Sequence, residues 1–544
     1  MKKILSLLLI AFFPLWIHAS EVVLYSLTTE GLTNPLGIDV TAPRFSWKIK
    51  SDKKCLVQTG YEILVASSRE KLDAGDGDLW NSGKVESDAQ LWIPYKGKVL
   101  KDNQHAWWKV RITTNKGKSE WSDVQTFSIG LLGETHWKGR WIGLEELVPG
   151  DQQGMHTRLA ARYLRREFTA KDSIVRATAF VAGFGLYEFY VNGSFIGEHE
   201  VLRPVPSDFR KTVYYNTYDI TDDLQSGEKN ALGIVLEAGR AFPPRQEKAY
   251  KTPYFGLPKC RINVIVEYAN GKTETWSTDE KWKITTNGPV RSANEYDGEV
   301  YDSRMEMDGW NDVGYDDSKW AKAQRAAIPE GTLRAQMTPN MVAGYGPIDK
   351  RSIKKWGDGV IVDFGQNMAG WVLTSVRGNI GDTIRIRYAE KLDSTGGLYT
   401  ANLRNAQSED TYICNGKSRE WFPSFVYHGF RYIYVTGLKN ATLHDFVPMV
   451  VADPMAKTGY IETADTILNK VLHNAWWGIR SNYKGMPVDC PQRNERQPWL
   501  GDRSAGCLGE SFVFNNERLY TKWMRDLTEG QRYDGAMSNV TPAF

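Results

Sequence analysis

The sequence Val488-Asp-Cys-Pro-Gln-Arg-Asn-Glu-Arg-Gln-Pro-Trp-Leu-Gly-Asp502 places three carboxylates, two arginines and one tryptophan within fifteen residues. It contains two prolines and has no apolar periodicity, which predicts an ordered loop rather than a helix or a strand. Charged groups at this density need solvent, mutual pairing or a ligand. We therefore expect a polar loop that either pairs with itself or binds another molecule.

The segment before this loop has the period of an α-helix over about residues 465–482. Four apolar residues fall on one face of it: Leu468, Leu472, Trp476 and Ile479. Thr463 or Asp465 could cap its first turn. Because reactive side chains are often found on loops held by rigid elements, the loop after this helix is a candidate functional site.

Asp489, Glu495 and Asp502 indicate carboxylate chemistry. Hydrolysis of a glycosidic bond needs one carboxyl group that protonates the leaving oxygen and a second that activates water or attacks the sugar. The two arginines could bind these carboxylates, and the tryptophan offers a flat apolar face to a sugar ring. The alternative is a salt-bridge network that holds an inter-helix loop, with the tryptophan as an ordinary core residue. Spacing alone leaves both interpretations open.

Residues 489–496, followed by Trp499 and Gly501-Asp502, resemble the signature of the bacterial α-L-rhamnosidases of glycoside hydrolase family 78. That family places the signature in an (α/α)6 barrel and hydrolyses terminal α-L-rhamnose with inversion. The resemblance implies that Glu495 is the general acid. It also implies that the rhamnose subsite is lined by Asp489, Arg493, Trp499 and Asp502. The family usually has glycine before this tryptophan, where this chain has Pro498.

After Val450 the pattern becomes helical, at about residues 465–482, 504–514 and 517–530. A barrel of twelve helices with about 11 to 12 residues each needs roughly 140 residues in helix alone, more than follow Val450. We therefore predict that residues 451–544 are the first helices of an incomplete six-hairpin (α/α)6 barrel. The general base that the family supplies later in its barrel has no counterpart here. The chain is thus expected to be a C-terminally truncated rhamnosidase without turnover of its own.

Upstream of the helices the pattern is β. Residues 21–130, with alternating runs such as Tyr61-Glu-Ile-Leu-Val and residues 108–113, predict a fibronectin-III-like sandwich. Residues 131–325 resemble the family's jelly roll, which is like a carbohydrate-binding module; the run 180–193 alternates and ends in the hairpin signal Asn192-Gly193. Residues 326–450, with Ile384-Arg-Ile-Arg-Tyr, resemble its concanavalin-like supersandwich domain. The predicted fold class is multidomain, with β-sandwich and jelly-roll modules before the start of the barrel.

Asp297, Glu299 and Asp302 are the candidates for a calcium site. Their spacing differs from that of an EF-hand loop, and acidic residues in turns are more often solvated. The five cysteines are few and widely spread, so they predict neither a disulfide framework nor a CxxC metal site. No metal site and no cofactor are therefore predicted, with calcium as the alternative.

The overall charge and the N-terminus limit the function classes. The balance of 68 basic and 65 acidic residues gives a net charge of +3, which argues against a nucleic-acid or membrane-surface role. Met1-Lys-Lys, an apolar run to Ile17 and then Ala19-Ser20 form the pattern of a signal peptide at residues 1–20. The apolar run is shorter than the roughly 20 residues of a membrane span. We therefore predict a periplasmic or secreted protein without a membrane span.

Together these observations predict an exo-acting, inverting glycoside hydrolase that releases terminal α-L-rhamnose. Its partner would be a rhamnose-containing oligosaccharide or polysaccharide, for example of plant origin. Two alternatives stay open. One is a non-catalytic carbohydrate-binding protein built from several β domains, and the other is a glycosidase for another sugar, since helical barrels serve several glycosidases.

Overall fold

The computed structural model describes residues 22–242, 255–347 and 351–542. The predicted signal peptide lies outside these residues. In the part of the chain that is described, no helix is both long and apolar enough to cross a membrane. The chain divides into two units, one formed by residues 1–35 and 40–129 and the other by residues 36–39 and 130–544.

The first unit consists of two β-sheets and one short helix. One sheet has three strands in the order β1-β2-β6, and the other has six strands, centred on β3 and β7. The strands are β1 (Val23–Thr29), β2 (Arg44–Lys50), β3 (Gln58–Ala66), β4 (Trp80–Asn81), β5 (Val85–Glu86), β6 (Ile93–Pro94), β7 (His105–Thr114), β8 (Gly117–Lys118) and β9 (Gln125–Ser128), with helix α1 at Arg69–Asp73. Burial alternates along β7, which confirms the predicted strand period. Its buried Trp108 lies 4.5 Å from Phe45 between ring centres, in the core of this unit.

The second unit begins with two sheets packed around one core. The strands between residues 142 and 325 are β10 (Ile142–Gly143), β11 (Arg162–Thr169), β12 (Ile174–Phe184), β13 (Leu186–Val191), β14 (Ser194–Phe195), β15 (Glu200–Val201), β16 (Thr212–Asp219), β17 (Lys229–Glu237), β18 (Lys259–Tyr268), β19 (Thr273–Ser277), β20 (Lys283–Thr285), β21 (Val290–Asn294), β22 (Gly298–Asp302), β23 (Ala321–Lys322) and β24 (Gln324–Arg325). Of these, β15, β21 and β22 belong to a third, larger sheet of this unit. One sheet has the order β14-β13-β17-β11-β20-β23, and the other includes β24-β10-β18-β12-β16. Val181, Phe189 and Ile262 are among the buried residues between them.

The alternating run 180–193 is divided between two strands, β12 and β13. The chain breaks at Gly185, whose φ of +109° lies in the region that favours glycine, and a Cβ there would lie 2.3 Å from the carbonyl oxygen of Glu237. As a result β12 and β13 belong to different sheets. The hairpin signal is confirmed, because Asn192 and Gly193 both have positive φ and β13 pairs with β14 across them.

The second unit also contains a large sheet of eleven strands. The remaining strands are β25 (Thr332–Ala335), β26 (Met341–Tyr345), β27 (Ser352–Trp356), β28 (Gly359–Val376), β29 (Thr383–Ala389), β30 (Lys391–Leu392), β31 (Leu398–Tyr399), β32 (Glu409–Ile413), β33 (Arg419–Trp421), β34 (His428–Thr436) and β35 (Phe446–Ala452). The main path of the eleven-stranded sheet is β15-β26-β35-β28-β34-β29-β32-β22-β21, and β27 and β33 pair with β28 beside this path. Strands from before residue 325 thus join this sheet, whereas β25 pairs in parallel with β16 in the jelly-roll part.

Three longer helices follow: α2 (Thr466–Asn482), α3 (Leu500–Ser511) and α4 (Glu517–Gly530). The Asp465 carboxylate accepts bonds from the amides of Ile467 and Leu468, which confirms the predicted start of α2. Helix α3 begins earlier than predicted, so the loop ends at Trp499 and Asp502 lies in the first helical turn. An acidic residue is favourable there because the helix dipole is positive at that end. Short 3-10 turns lie at Glu134–His136, Ser303–Met305, Ala401–Leu403 and Leu443–Asp445.

Candidate functional site

The loop of residues 488–499 joins α2 to α3 and is closed by bonds between its two ends. The Asp489 amide donates to the Gln497 carbonyl at 2.9 Å, and the Gln497 amide donates to the Asp489 carboxylate at 2.7 Å. Arg503 in α3 donates to the carbonyl of Val488 and forms an ion pair of 2.7 Å with Glu510. The start of the loop is therefore fixed both to its own end and to the following helix.

Arg496 stabilises the loop from inside. Its backbone has a left-handed φ of +52°, an uncommon conformation for a residue with a side chain, and its side chain is fully buried. The guanidinium donates to the carbonyls of Tyr427 (2.8 Å) and Arg493 (3.2 Å) and lies 4.6 Å from the centre of the Tyr427 ring. The sequence-based expectation that Arg496 binds the carboxylates is wrong. Its planar group instead satisfies backbone carbonyls that the loop buries.

A second buried arginine reaches the same loop from the jelly-roll part. Arg240, just after β17, donates to the carbonyl of Arg496 at 2.7 Å and pairs with Glu295 at 3.0 Å. Tyr296 donates its hydroxyl to the carbonyl of Glu495 at 3.1 Å. The two backbone carbonyls beside the predicted general acid are thus held by residues from more than 190 positions earlier in the chain.

Glu495 lies at the centre of the site and is 6% exposed. Its Oε1 accepts a bond of 3.1 Å from the indole N–H of Trp499. Its Oε2 accepts a bond of 2.7 Å from Nε of Arg493 and lies 3.2 Å from Nη2 of Arg404. Three donors therefore fix the orientation of this carboxylate.

Asp489 and Cys490 lie beside Glu495. Asp489 pairs with Arg493 at 3.4 Å, and burial raises the pKa of its carboxyl above the ordinary value. Burial also raises the pKa of the Cys490 thiol, to about 12. One ligand atom from each of Asp489, Cys490 and Glu495 lies within 4.8 Å of the others, close enough for a metal ion. Both oxygens of Glu495 already have cationic or N–H partners, and a thiol with a raised pKa is a poor metal ligand, so this donor set fits a metal badly.

Trp499 contacts the Glu495 carboxylate, whereas Asp502 does not pair with it in the described part of the chain. Trp499 is the N-cap residue of α3 and is half-buried, so it is not an ordinary core residue. Asp502 is exposed in the first turn of α3. Within the described ranges, no hydrogen bond or ion pair joins Asp502 to the other four predicted site residues. The structure therefore brings together Asp489, Arg493, Glu495 and Trp499.

The three residues considered for calcium are each engaged separately. Asp297 accepts from His156 Nδ1 at 2.8 Å, and Asp302 pairs with Arg304 at 2.7 Å. Glu299 is fully buried, accepts from the amides of Ser424 and Phe425 at 3.0 Å, and burial raises the pKa of its carboxyl well above the ordinary value. Their carboxylates do not form a common group of the kind that could hold a metal among the described residues.

Sequence reasoning missed Arg404 and Asn405, which come from the turn after β31. Arg404 has a φ of +60° and pairs with Glu495, and Asn405 accepts a hydrogen bond from the side chain of Asn494. Arg240 was missed as well. Local sequence offers no signal for these contacts, because each joins residues that are far apart in the chain.

Four stretches of the chain match protein families. Residues 24–133 match the Rha78A-like N-terminal immunoglobulin domain, and residues 172–343 match the alpha-L-rhamnosidase N-terminal domain. Residues 354–452 match the bacterial alpha-L-rhamnosidase concanavalin-like domain. Residues 456–544 match the bacterial alpha-L-rhamnosidase 6 hairpin glycosidase domain.

Individual relatives agree with these families. An alpha-L-rhamnosidase of Formosa agariphila is 36% identical over 97% of this chain and 58% of its own length. The solved structure of an alpha-L-rhamnosidase from Dictyoglumus thermophilum has a TM-score of 0.88 at 37% identity, over 96% of this chain and 59% of that one. The Streptomyces avermitilis alpha-L-rhamnosidase complexed with L-rhamnose has a TM-score of 0.89 at 26% identity, over 96% and 66%. The chain thus spans less than two thirds of the length of each of these relatives.

Proposed function

We propose that this chain, which belongs to the bacterial alpha-L-rhamnosidase family, acts in the hydrolysis of terminal α-L-rhamnose as an exo-acting, inverting glycoside hydrolase. Its substrates would be rhamnosides or plant polysaccharides. The single observation that supports this best is the carboxylate of Glu495, which three donors hold in place on a closed loop.

Glu495 is the proposed general acid. A general acid must lie within hydrogen-bond distance of the leaving oxygen in a fixed orientation. Trp499 and Arg493 provide that orientation from the loop itself. When the substrate binds, its glycosidic oxygen takes the place of one of these donors on the carboxyl group. Glu495, protonated in this complex, gives its proton to the leaving oxygen as the bond to the sugar breaks, while a water activated by the general base forms the new bond to the anomeric carbon.

Asp489 is proposed to bind a rhamnose hydroxyl rather than to serve as the general base. In inverting enzymes the two carboxyl groups stand about 6.5 to 9.5 Å apart, with water between them. An Asp489 oxygen lies within 4.8 Å of a Glu495 oxygen, which leaves too little space for that water. The Asp489 carboxylate accepts hydrogen bonds, so it can receive one from a rhamnose hydroxyl. The general base is therefore a carboxylate other than Asp489.

Arg493 and Asp502 complete the proposed rhamnose subsite, and the product is expected with the opposite anomeric configuration. The proposed location is the periplasm or the outside of the cell, which the signal-peptide pattern of residues 1–20 supports.

Two measurements test the proposal. Calorimetric titration of the chain with L-rhamnose should detect binding that Asp489→Asn weakens by about tenfold, because the neutral amide accepts a weaker hydrogen bond from the sugar hydroxyl than the carboxylate does. In a protein extended to the full length of the relatives, Glu495→Gln should lose hydrolysis of a rhamnosyl disaccharide far more than that of a nitrophenyl rhamnoside. An activated leaving group needs little protonation, so the acid matters least there.

The exposed Glu420, on β33, gives the matched control, since Glu420→Gln should change neither binding nor hydrolysis. If Glu495→Gln reduced hydrolysis of the rhamnosyl disaccharide and of the nitrophenyl rhamnoside equally, Glu495 would have a positioning role instead. Rhamnose binding without hydrolysis in the extended protein would favour the alternative of a carbohydrate-binding protein.

A further inference from the structure

Strand β28 of the large sheet contains a bulge at residues 364–367, which include Gln366 and Asn367. Its pairing with β34 shifts register between Asp363 and Met368, so that residues 364–367 lie opposite Arg431 alone. Gly365 permits the turn with a φ of +74°. Bulges re-aim side chains out of the regular ladder, and Asn367 is exposed here. Gln366 lies 3.2 Å from His473 of α2, which places the bulge beside the helix that precedes the site loop.

Glu390 joins this bulge to the turn after β31. One of its carboxylate oxygens accepts from the Asn367 amide at 2.9 Å, and the other accepts from the Asn402 amide at 3.2 Å. The amide oxygen of Asn402 is buried and has no hydrogen-bond partner among the described residues. Buried polar atoms without a partner are uncommon and costly. Asn402 thus offers an acceptor that a bound hydroxyl could use.

Arg404 connects this group to the proposed general acid. It follows the 3-10 turn Ala401–Leu403, which contains Asn402, and its guanidinium lies 3.2 Å from Oε2 of Glu495. The adjacent Asn405 bonds to Asn494 of the loop. The turn of residues 401–405 therefore contacts Glu495 through Arg404 and contacts Glu390, which binds the bulge, through Asn402.

A general acid contacts the oxygen that joins the terminal sugar to its leaving group. Asp489, Arg493 and Trp499 approach Glu495 from the loop, whereas Arg404 approaches it from the β-sheet module. We propose that Asn367, Glu390, Asn402 and Arg404, here named the rim cluster, bind the sugar that leaves. The assignment rests on the proposed function of Glu495, and it extends that function to the second sugar of the substrate.

The chemistry of the rim cluster selects a neutral, hydroxyl-rich sugar. A carboxylate accepts hydrogen bonds from hydroxyl groups, and side-chain amides both donate and accept. The negative charge of Glu390 disfavours an acidic sugar at this position, and the positive charge of Arg404 is already paired with Glu495. A neutral hexose therefore matches this set of groups better than a uronic acid does.

The test compares two ligands by calorimetric titration of the full chain. Methyl α-L-rhamnopyranoside fills only the terminal subsite, whereas α-L-rhamnosyl-(1→6)-glucose also reaches the rim cluster. We expect the disaccharide to bind about tenfold more tightly, the gain from one or two hydrogen bonds to a charged group. Glu390→Ala and Asn402→Ala should each remove most of that gain. The affinity for the methyl rhamnoside should change by less than about twofold in both variants.

Matched variants separate recognition from folding. Glu390→Gln keeps the size of the side chain and loses its charge, so its disaccharide affinity should lie between those of the unaltered protein and Glu390→Ala. Glu420→Ala, on the same sheet, should leave both affinities and the melting temperature unchanged. The proposal that the rim cluster binds the leaving sugar would be overturned by either of two results. One is equal affinity of the unaltered protein for the two ligands, and the other is that Glu390→Ala weakens the binding of both ligands equally. Failure of the methyl rhamnoside to bind would instead overturn the proposed function itself.

Discussion

Arg496 and Arg240 have structural roles that their charges alone would not suggest. Both are buried, and each donates to backbone carbonyls around Glu495 rather than to the carboxylates of Asp489 or Glu495. A buried carbonyl without a donor costs free energy comparable to a lost hydrogen bond. These arginines therefore stabilise the loop conformation in which Glu495 stands between Trp499 and Arg404.

Glu237, at the end of β17, is a buried acid outside the site. It is fully buried, one oxygen accepts from the Ala293 amide at 2.9 Å, and the other has no partner within the described ranges. Burial raises the pKa of its carboxyl from 4.5 to about 8. The folded state thus holds a proton that the unfolded state releases between these two pH values. Stability must fall as the pH rises through this window.

We predict that Glu237→Gln removes the loss of folding stability that Glu237 causes as the pH rises. The amide keeps the acceptor for Ala293 and does not titrate, so the variant should match the unaltered protein near pH 5 and exceed its free energy of unfolding by about 1–3 kcal/mol at pH 8. Urea unfolding at both pH values measures the difference, with Glu420→Gln as the exposed control. Parallel pH profiles for the variant and the unaltered protein would contradict the prediction.

At the scale of elements, the helices combine a packed side with an apolar exposed side. Trp476 of α2 stacks on Phe514 with ring centres 5.9 Å apart, and the neighbouring cluster includes the fully buried Leu519 of α4. By contrast, Ile467 of α2 and Leu508 of α3 are each 73% exposed. Leu468, on the face that the sequence predicts to be apolar, is 45% exposed, whereas Trp476 on the same face is half-buried.

We predict that Ile467→Lys combined with Leu508→Lys reduces self-association of the chain without lowering its melting temperature. Exposed apolar patches promote association, and these two side chains pack against little in the folded chain. Light scattering after size-exclusion chromatography measures the association. The contrasting variant Leu519→Ala should lower the free energy of unfolding by about 2–5 kcal/mol, because it opens a cavity. A clear drop in melting temperature for the double variant would show that these residues are packed in solution.

At the scale of the whole molecule, the two sheet systems of the second unit exchange strands. Strand β16 pairs in parallel with β25, which lies after residue 325. Conversely, β15, β21 and β22 lie before residue 325 but pair within the large sheet. Helix α4 also contacts the jelly-roll part, because the Thr212 hydroxyl of β16 donates to the Glu529 carboxylate of α4 at 2.8 Å. The boundary predicted near residue 325 therefore separates strands that are hydrogen-bonded to one another.

We predict that a fragment of residues 130–325 does not fold cooperatively on its own. It would lose β25 from one sheet, and β15 and the β21–β22 pair would lose their partners β26 and β32, so its edges and apolar faces would be exposed. Thermal unfolding followed by near-UV circular dichroism should show no sharp transition for the fragment and a clear one for the full chain. A cooperative transition in the fragment would mean that the jelly-roll strands are sufficient by themselves.

The sequence by itself determined the local features of this protein. The alternation of β7, the Asn192-Gly193 hairpin, and the start and end of α2 all follow from periodicity, turn chemistry and capping between neighbouring residues. The motif around Glu495 likewise identified the family, because its residues are consecutive. The roles given to Asp489, Arg493, Glu495, Trp499 and Asp502 stay predictions.

Only the tertiary structure decided which distant residues complete the site. Arg240 donates to Arg496 across 256 positions, Arg404 reaches Glu495 from another module, and Arg496 turns to carbonyls instead of carboxylates. The early start of α3 also moved Asp502 from the loop into a helix. Such contacts depend on the path of the whole chain and on the need to satisfy buried backbone carbonyls. Local periodicity and composition contain no information about either.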